Sequence, residues 1–281
     1  MRNRRHRLSR RDACALLGAL PWIASSAARA QQQLPVRATD LDHFGITVQD
    51  SLKTAEFFGR AFDPQLFAEM DSPTRLYVKL ATAHMAIGNR PYWTRDPVEL
   101  PILDHISARV EDYDQAALER ALTDAGVVIG IRGFPLDPDG LFLQLGASPG
   151  GMSRTIIPAG RVTHEDAIVH IRGLDHLMVA VGDLARSERF YTLVFGPPAE
   201  RTSNPDRIWY DVGTHTRLGL QAVAAGESPR FHHFALRAAG FDRRDATARL
   251  QRIGAVMMQS DEDGMLRFRD PNGLIVEIRS D

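Results

Sequence analysis

The spacing of apolar and polar residues switches repeatedly along this chain, from a period of two to a period near 3.6 and back. Runs such as His176-Leu177-Met178-Val179-Ala180-Val181 have the length and apolar character of strands. Amphipathic helical stretches follow at Ser51–Phe62, Tyr113–Ala125, Leu184–Phe195 and Arg243–Ile253. After each helix come short β-rich runs broken by turn residues. The pattern predicts one unit, a strand and a helix followed by two or three strands, occurring four times.

The four units open alike, at Leu41-Asp42-His43-Phe44, Leu103-Asp104-His105-Ile106, Leu174-Asp175-His176-Leu177 and Phe231-His232-His233-Phe234. His43 and His176 are 133 residues apart (176 − 43). The turn Asp137-Pro138-Asp139-Gly140 recurs as Asp270-Pro271-Asn272-Gly273, again at 133 (270 − 137). Two landmarks holding one offset indicate a duplicated domain of two units each. The expected division is 39–147, a Gly- and Pro-containing linker at 148–172, and 173–281.

Charge changes the picture only at the N-terminus. Residues 1–30 hold seven arginines, an apolar run from Ala13 to Ile23 and an Ala28-Arg29-Ala30 site before Gln31. That is the layout of a cleaved export signal. Ser9-Arg10-Arg11 reads as a twin-arginine signal, although Ala13 stands where a larger apolar residue is usual. The expected location is therefore periplasmic or secreted. Without this segment the balance is 27 basic (34 − 7) against 34 acidic (35 − 1), net −7. A mildly acidic chain with no basic stripe argues against nucleic acid as a partner, and no stretch suits a stable membrane span. The single cysteine, Cys14, leaves with the signal. Disulfides, thiolate catalysis and Cys-ligated metals are excluded for the mature chain.

Candidate chemistry gathers in the second half. His176 and His233 hold matched positions on two strands. Glu277 lies in the apolar run Leu274-Ile275-Val276-Glu277-Ile278, where a buried carboxylate is costly unless paired or metal-bound. Two imidazoles and one carboxylate, with other positions open, suit Fe(II) and tolerate Mn(II), Zn(II) or Ni(II). Counting back 133 from Glu277 reaches Gln144, so His43, His105 and Gln144 form a neutral, weaker set. The first half is expected to be mainly structural.

These units, openings and the closing Arg269-Asp270-Pro271-Asn272-Gly273-Leu274 run resemble the vicinal oxygen chelate superfamily, which includes glyoxalase I, extradiol dioxygenases and bleomycin-resistance proteins. The resemblance covers about Thr39 to Asp281. It implies an α+β fold of four βαβββ units in two tandem domains, each curling around a metal. It assigns His176, His233 and Glu277 as ligands. Gln221 is a fourth candidate, as used by glyoxalase-like members. The two-domain layout is similar to extradiol dioxygenases, which implies Fe(II) and a small substrate chelating through adjacent oxygens. Arg267 stands where those enzymes carry a Tyr, and 256–264 lacks their acid–base His. His215 could move the proton instead, or it is an exposed turn residue. A glyoxalase-type isomerase and a non-catalytic binding protein remain as alternatives. Arg109 and Arg237 are candidates to clamp a carboxylate, or else solvated strand ends. Tyr210, Trp209 and Phe268 could wall the second cavity. Oligomeric state stays open. If the export reading holds, N-terminal sequencing of the exported protein will begin at Gln31; a retained Met1 contradicts it.

Overall fold

A computed structural model describes residues 34–62, 66–69, 72–89, 99–147, 156–160, 167–260 and 265–280. The expected export signal lies outside them. The described residues form a mixed, sheet-dominated α+β structure. The first unit comprises β1 (Ala38–Thr47), α1 (Ser51–Phe62), β2 (Leu66–Glu69), β3 (Ser72–Leu80) and β4 (Ala83–Gly88). The second has β5 (Ile102–Val110), α2 (Gln115–Asp124) and β6 (Phe142–Ala147), followed by β7 (Ile156–Gly160). The third holds β8 (Ile171–Val181), α3 (Leu184–Phe195), β9 (Glu200–Ser203), β10 (Asp206–Val212) and β11 (Thr216–Ala222). The fourth holds β12 (Arg230–Ala238), α4 (Arg243–Arg252), β13 (Val256–Met258), β14 (Met265–Arg269) and β15 (Ile275–Ser280).

Each helix starts at an aspartate. Asp50, Asp114, Asp183 and Asp242 accept from the backbone N–H of Lys53, Ala117, Arg186 and Asp245 at 2.7–3.0 Å. Such a cap satisfies an otherwise orphaned N–H and contributes about 1 kcal/mol. Helix α3 stops at Gly196, whose φ of 90° suits a residue without Cβ. The helices bury one face, as with Ala55, Phe58, Ala61 and Phe62 of α1.

Within each half the opening strands of the two units pair antiparallel, β1 with β5 and β8 with β12. Each opening strand also pairs in parallel with the closing strand of its own unit: β1 with β4, β5 with β6, β8 with β11 and β12 with β15. The halves join where β5 meets β12, at Leu103 and Phe231. The second unit departs from the expected pattern. Between α2 and β6 it has a 3-10 turn at Ile131–Gly133 and isolated bridges from Ile129 to Pro135 and Leu136 to Phe142. Pro135 has no N–H to donate, and Arg132 and Gly133 both adopt positive φ, which breaks a regular strand. The expected linker is also partly structured. β7 pairs with β2, and the N–H groups of Ile168 and Val169 bond to the Ala61 carbonyl at the end of α1.

The two Asp-Pro-x-Gly turns are built alike and dock crosswise. Asp137 Oδ1 accepts from the N–H of Asp139 and Leu141, and Asp270 Oδ1 from Asn272 and Leu274, at 2.8–3.0 Å. Gly140 (φ 85°) and Gly273 (φ 101°) occupy the left-handed position that closes each turn. Asp139 accepts from Gly182 N–H and from Arg186 at the start of α3 in the other half. Asn272 donates to Thr54 of α1, returning the contact. Phe44 and Phe234 add a ring contact across the halves, centroids 4.8 Å apart.

Asp137 is buried beneath this junction, with Tyr191 donating its phenolic O–H to Oδ2. Burial pushes its carboxyl up to about 6 despite these hydrogen bonds. The folded state therefore holds a proton that the unfolded chain releases near pH 4, so this contribution to stability is present at low pH and is lost as pH rises toward 6. Relative to Asp137→Asn, the wild type should lose on the order of 2–3 kcal/mol between pH 4 and pH 7. Denaturant unfolding of both proteins at the two pH values checks this.

Candidate metal centre

Strand pairing brings together three groups that are far apart in the chain. In the antiparallel pair, Ala235 lies opposite His176 and Met178 opposite His233, so the two histidines are diagonal neighbours on one face. Their Nε2 atoms are 3.2 Å apart. Strand β15 sets Glu277 beside Ala235. The Glu277 carboxylate lies 3.6 Å from His233 Nε2 and 3.9 Å from His176 Nε2. All three side chains are buried, and one donor atom from each falls within 4.8 Å of the others.

The donor set fits a divalent ion. Asp175 Oδ2 lies 2.7 Å from His176 Nδ1 and can only accept there, which puts the proton on Nδ1 and leaves an Nε2 lone pair. Two nitrogens bonded at about 2.1 Å to one ion, at right angles, sit about 3.0 Å apart. Burial pushes His233 well below the ordinary histidine range, and the neighbouring charges of His176 and His232 add to this. Neutral imidazole is the form a metal requires. Asp175 is lowered even though burial opposes it, because the His176 hydrogen bond and the charges of Arg279 and Arg237 prevail.

Arg267 lies opposite Glu277 across β14–β15, with Nε 3.3 Å from Oε1. Register along the four openings sets His232 aside as a ligand in favour of its neighbour His233. A bulge between Phe231 and His233 breaks the strand alternation there, and the Nδ1 atoms of His232 and His233 come within 2.7 Å. With His233 donating from Nδ1, His232 accepts on Nδ1 and carries its own proton on Nε2. Arg267 and His232 border a cavity of about 470 Å³, whose wall also includes Asp104, Phe142, Met258 and Ile275.

Several expected site residues are elsewhere. Tyr210 points away onto α3, its hydroxyl near Thr192 and the Glu188 carbonyl. Phe268 is buried against Phe57 of α1. Each is one residue out of phase, because its neighbour Trp209 or Arg267 takes the site-facing position. Gln221 shares the face of His176 but pairs with Ala180, four residues further along. The row matching Glu277 holds Gly219, opposite Met178. A Cβ at Gly219 would meet the Trp209 ring at 2.7 Å and Met178 at 2.6 Å, so these side chains take the room a fourth ligand would need. Trp209 meets His176 edge-on at 5.0 Å. Arg237 stands partly exposed near the end of β12, away from the trio; it donates to the His215 carbonyl and lies 3.7 Å from Asp175. His215 is exposed on the β10–β11 turn and lines a different cavity, of about 370 Å³, with Arg237 and Asp175. In the first half His43 and His105 also meet, Nε2 to Nε2 at 3.0 Å.

Residues 173–278, the third and fourth units, match the family model of the Glyoxalase/Bleomycin resistance protein/Dioxygenase superfamily. No curated protein sequence matches the chain. Among solved structures, the chain is similar to homoprotocatechuate 2,3-dioxygenase from Arthrobacter globiformis (TM-score 0.61, 17% identity, covering 89% of this chain and 82% of that one). It is similar to the Mn(II)-bound glyoxalase from Novosphingobium aromaticivorans (TM-score 0.58, 15% identity, 87% and 83%). It also resembles a xylose isomerase-like TIM barrel/4-hydroxyphenylpyruvate dioxygenase fusion protein (TM-score 0.60, 14% identity, 88% of this chain), of which it spans 50%. At these identities the likeness is one of fold.

Glu277→Ala should weaken divalent-metal binding in the second half by more than about 100-fold, the upper range for losing even a supporting group. Gln221→Ala should leave that affinity unchanged. Calorimetric titration of each variant with Co(II) reads both outcomes.

Proposed function

We propose that this chain is an exported, divalent-metal-dependent enzyme with extradiol-dioxygenase-type chemistry on a small substrate that chelates through adjacent oxygens. His176, His233 and Glu277 would hold the ion, with Fe(II) or Mn(II) favoured over Zn(II) or Ni(II). The observation that carries the reading is a three-donor face with Gly219 in the row where a fourth side-chain ligand would stand. A four-ligand, glyoxalase-type isomerase needs that fourth group. A non-catalytic binding protein would leave Glu277 buried among imidazoles with Arg267 alone to offset its charge. The export signal in residues 1–30 supports action outside the cytoplasm, and the twin-arginine pair suits cargo that folds and takes up its metal first.

When bound, the ion supplies a Lewis acid and a template for two adjacent oxygens. The surrounding residues supply the rest. Trp209 packs on His176 and restricts its ring. Arg267 places a permanent positive charge beside Glu277 at the cavity wall, where it can bind an anionic substrate oxygen. His232, which carries its proton on Nε2 when its Nδ1 accepts from His233, offers a hydrogen-bond donor at the same wall. Burial and the charges of Arg230 and Arg267 push His232 down to about 4, so it stays neutral at working pH. Phe142, Phe231, Met258 and Ile275 give the cavity an apolar wall suited to a planar ring.

The test is oxygen uptake by the purified mature chain, loaded anaerobically with Fe(II) and then given catechols. Uptake matched by ring-opened product supports the proposal. Full metal occupancy with no uptake from any catechol overturns it. Arg267→Met should lower kcat/KM by about 10–100-fold, the loss expected for one hydrogen bond to a charged group.

A further inference from the structure

We propose that the first half carries a second metal site, on His43 and His105, for a borderline divalent ion of the zinc and cobalt class. These side chains are as buried as the second-half pair, 3% and 2% exposed. Their Nε2 atoms are 3.0 Å apart. Asp42 Oδ2 lies 2.7 Å from His43 Nδ1, and Asp104 bonds His105 Nδ1 in the same way. Neither carboxylate is free to turn. Asp42 also accepts from Arg109 at 2.6 Å, and Asp104 from the Thr47 hydroxyl at 2.7 Å.

An ionised carboxylate only accepts, so each neutral imidazole keeps its proton on Nδ1. Both Nε2 lone pairs then face each other at a distance that would otherwise need a proton between them. Carboxylate, imidazole and a shared cation form the arrangement in which outer carboxylates orient metal-binding histidines. Here it occurs on both imidazoles, whereas the second half has it only on His176. The third donor comes from register. Gln144 lies beside Ser107 as Glu277 lies beside Ala235, and it is half-buried. Its amide oxygen is neutral, so the negative charge of this site sits behind the imidazoles rather than in front of them. Asp42 and Asp104 supply the negative charge that the front of this site lacks. Nitrogen-rich, carboxylate-backed donors suit Zn(II), Co(II), Ni(II) or Cu(II) better than Mg(II) or Ca(II).

The test is calorimetric titration of the chelator-stripped full chain with Co(II). The wild type should bind two equivalents. His176→Ala should keep one, and adding Asp104→Asn should weaken that one by about 10–100-fold. A single equivalent lost entirely in His176→Ala overturns the proposal. Because buried substitutions can unfold the chain, nitrogen-15 spectra of the wild-type imidazoles with Zn(II) give a second readout. Nε2 signals of His43 and His105 should shift along with those of His176 and His233; shifts confined to His176 and His233, or an Nε2 proton persisting between His43 and His105, count against it. One equivalent that survives His176→Ala but is lost in His43→Gln would sink the second-half metal reading and leave this one standing.

Discussion

Everything at the candidate centre depends on burying one carboxylate beside two imidazoles. Glu277, His176 and His233 are shielded from water by strands on both sides. Desolvating a carboxylate costs several kcal/mol, of which Arg267 at 3.3 Å offsets a part. Strand pairing supplies the constraint: β12 lies between β8 and β15, so donors from three strands meet on one face. A cation shared by the trio would relieve the charge and the lone-pair repulsion together. The electrostatic problem and the chemical capacity are therefore one feature.

The two halves share one pattern of strand pairing and distribute charge differently on it. In the first half two aspartates stand behind the histidines and a glutamine stands at their side. In the second, Asp175 still stands behind His176, His232 takes the place of the other aspartate, and a glutamate replaces the glutamine. The second half thus sets an anion beside its imidazoles, and His232 puts a polar group on the wall of the 470 Å³ cavity.

The halves are coupled by reciprocal turns rather than by a broad sheet contact. Asp139 reaches the start of α3, and Asn272 reaches α1. The 470 Å³ cavity is lined by Asp104 of one half and by Arg267 and His232 of the other. Its shape thus depends on the relative position of the two halves, which the buried Asp137–Tyr191 contact helps to hold.

Local pattern was enough to read the four helices, because capping aspartates and a 3.6 period are properties of adjacent residues. The repeated opening, the 133-residue offset and strand parity were likewise enough to single out His176, His233 and Glu277 together. Parity failed at Tyr210 and Phe268: Trp209 and Tyr210 are adjacent aromatics that are both buried, and only the β14–β15 pairing shows that Arg267 rather than Phe268 stands opposite Glu277. Gln221 was misplaced because aligning apolar runs does not reveal which residues pair; only the ladder shows that Gly219, not Gln221, shares the row of Glu277. The bulge at His232, the strand within 148–172 and the carboxylates behind His43 and His105 depend on contacts between residues distant in the chain. Those contacts exist only once the strands have paired, so tertiary structure alone decided them.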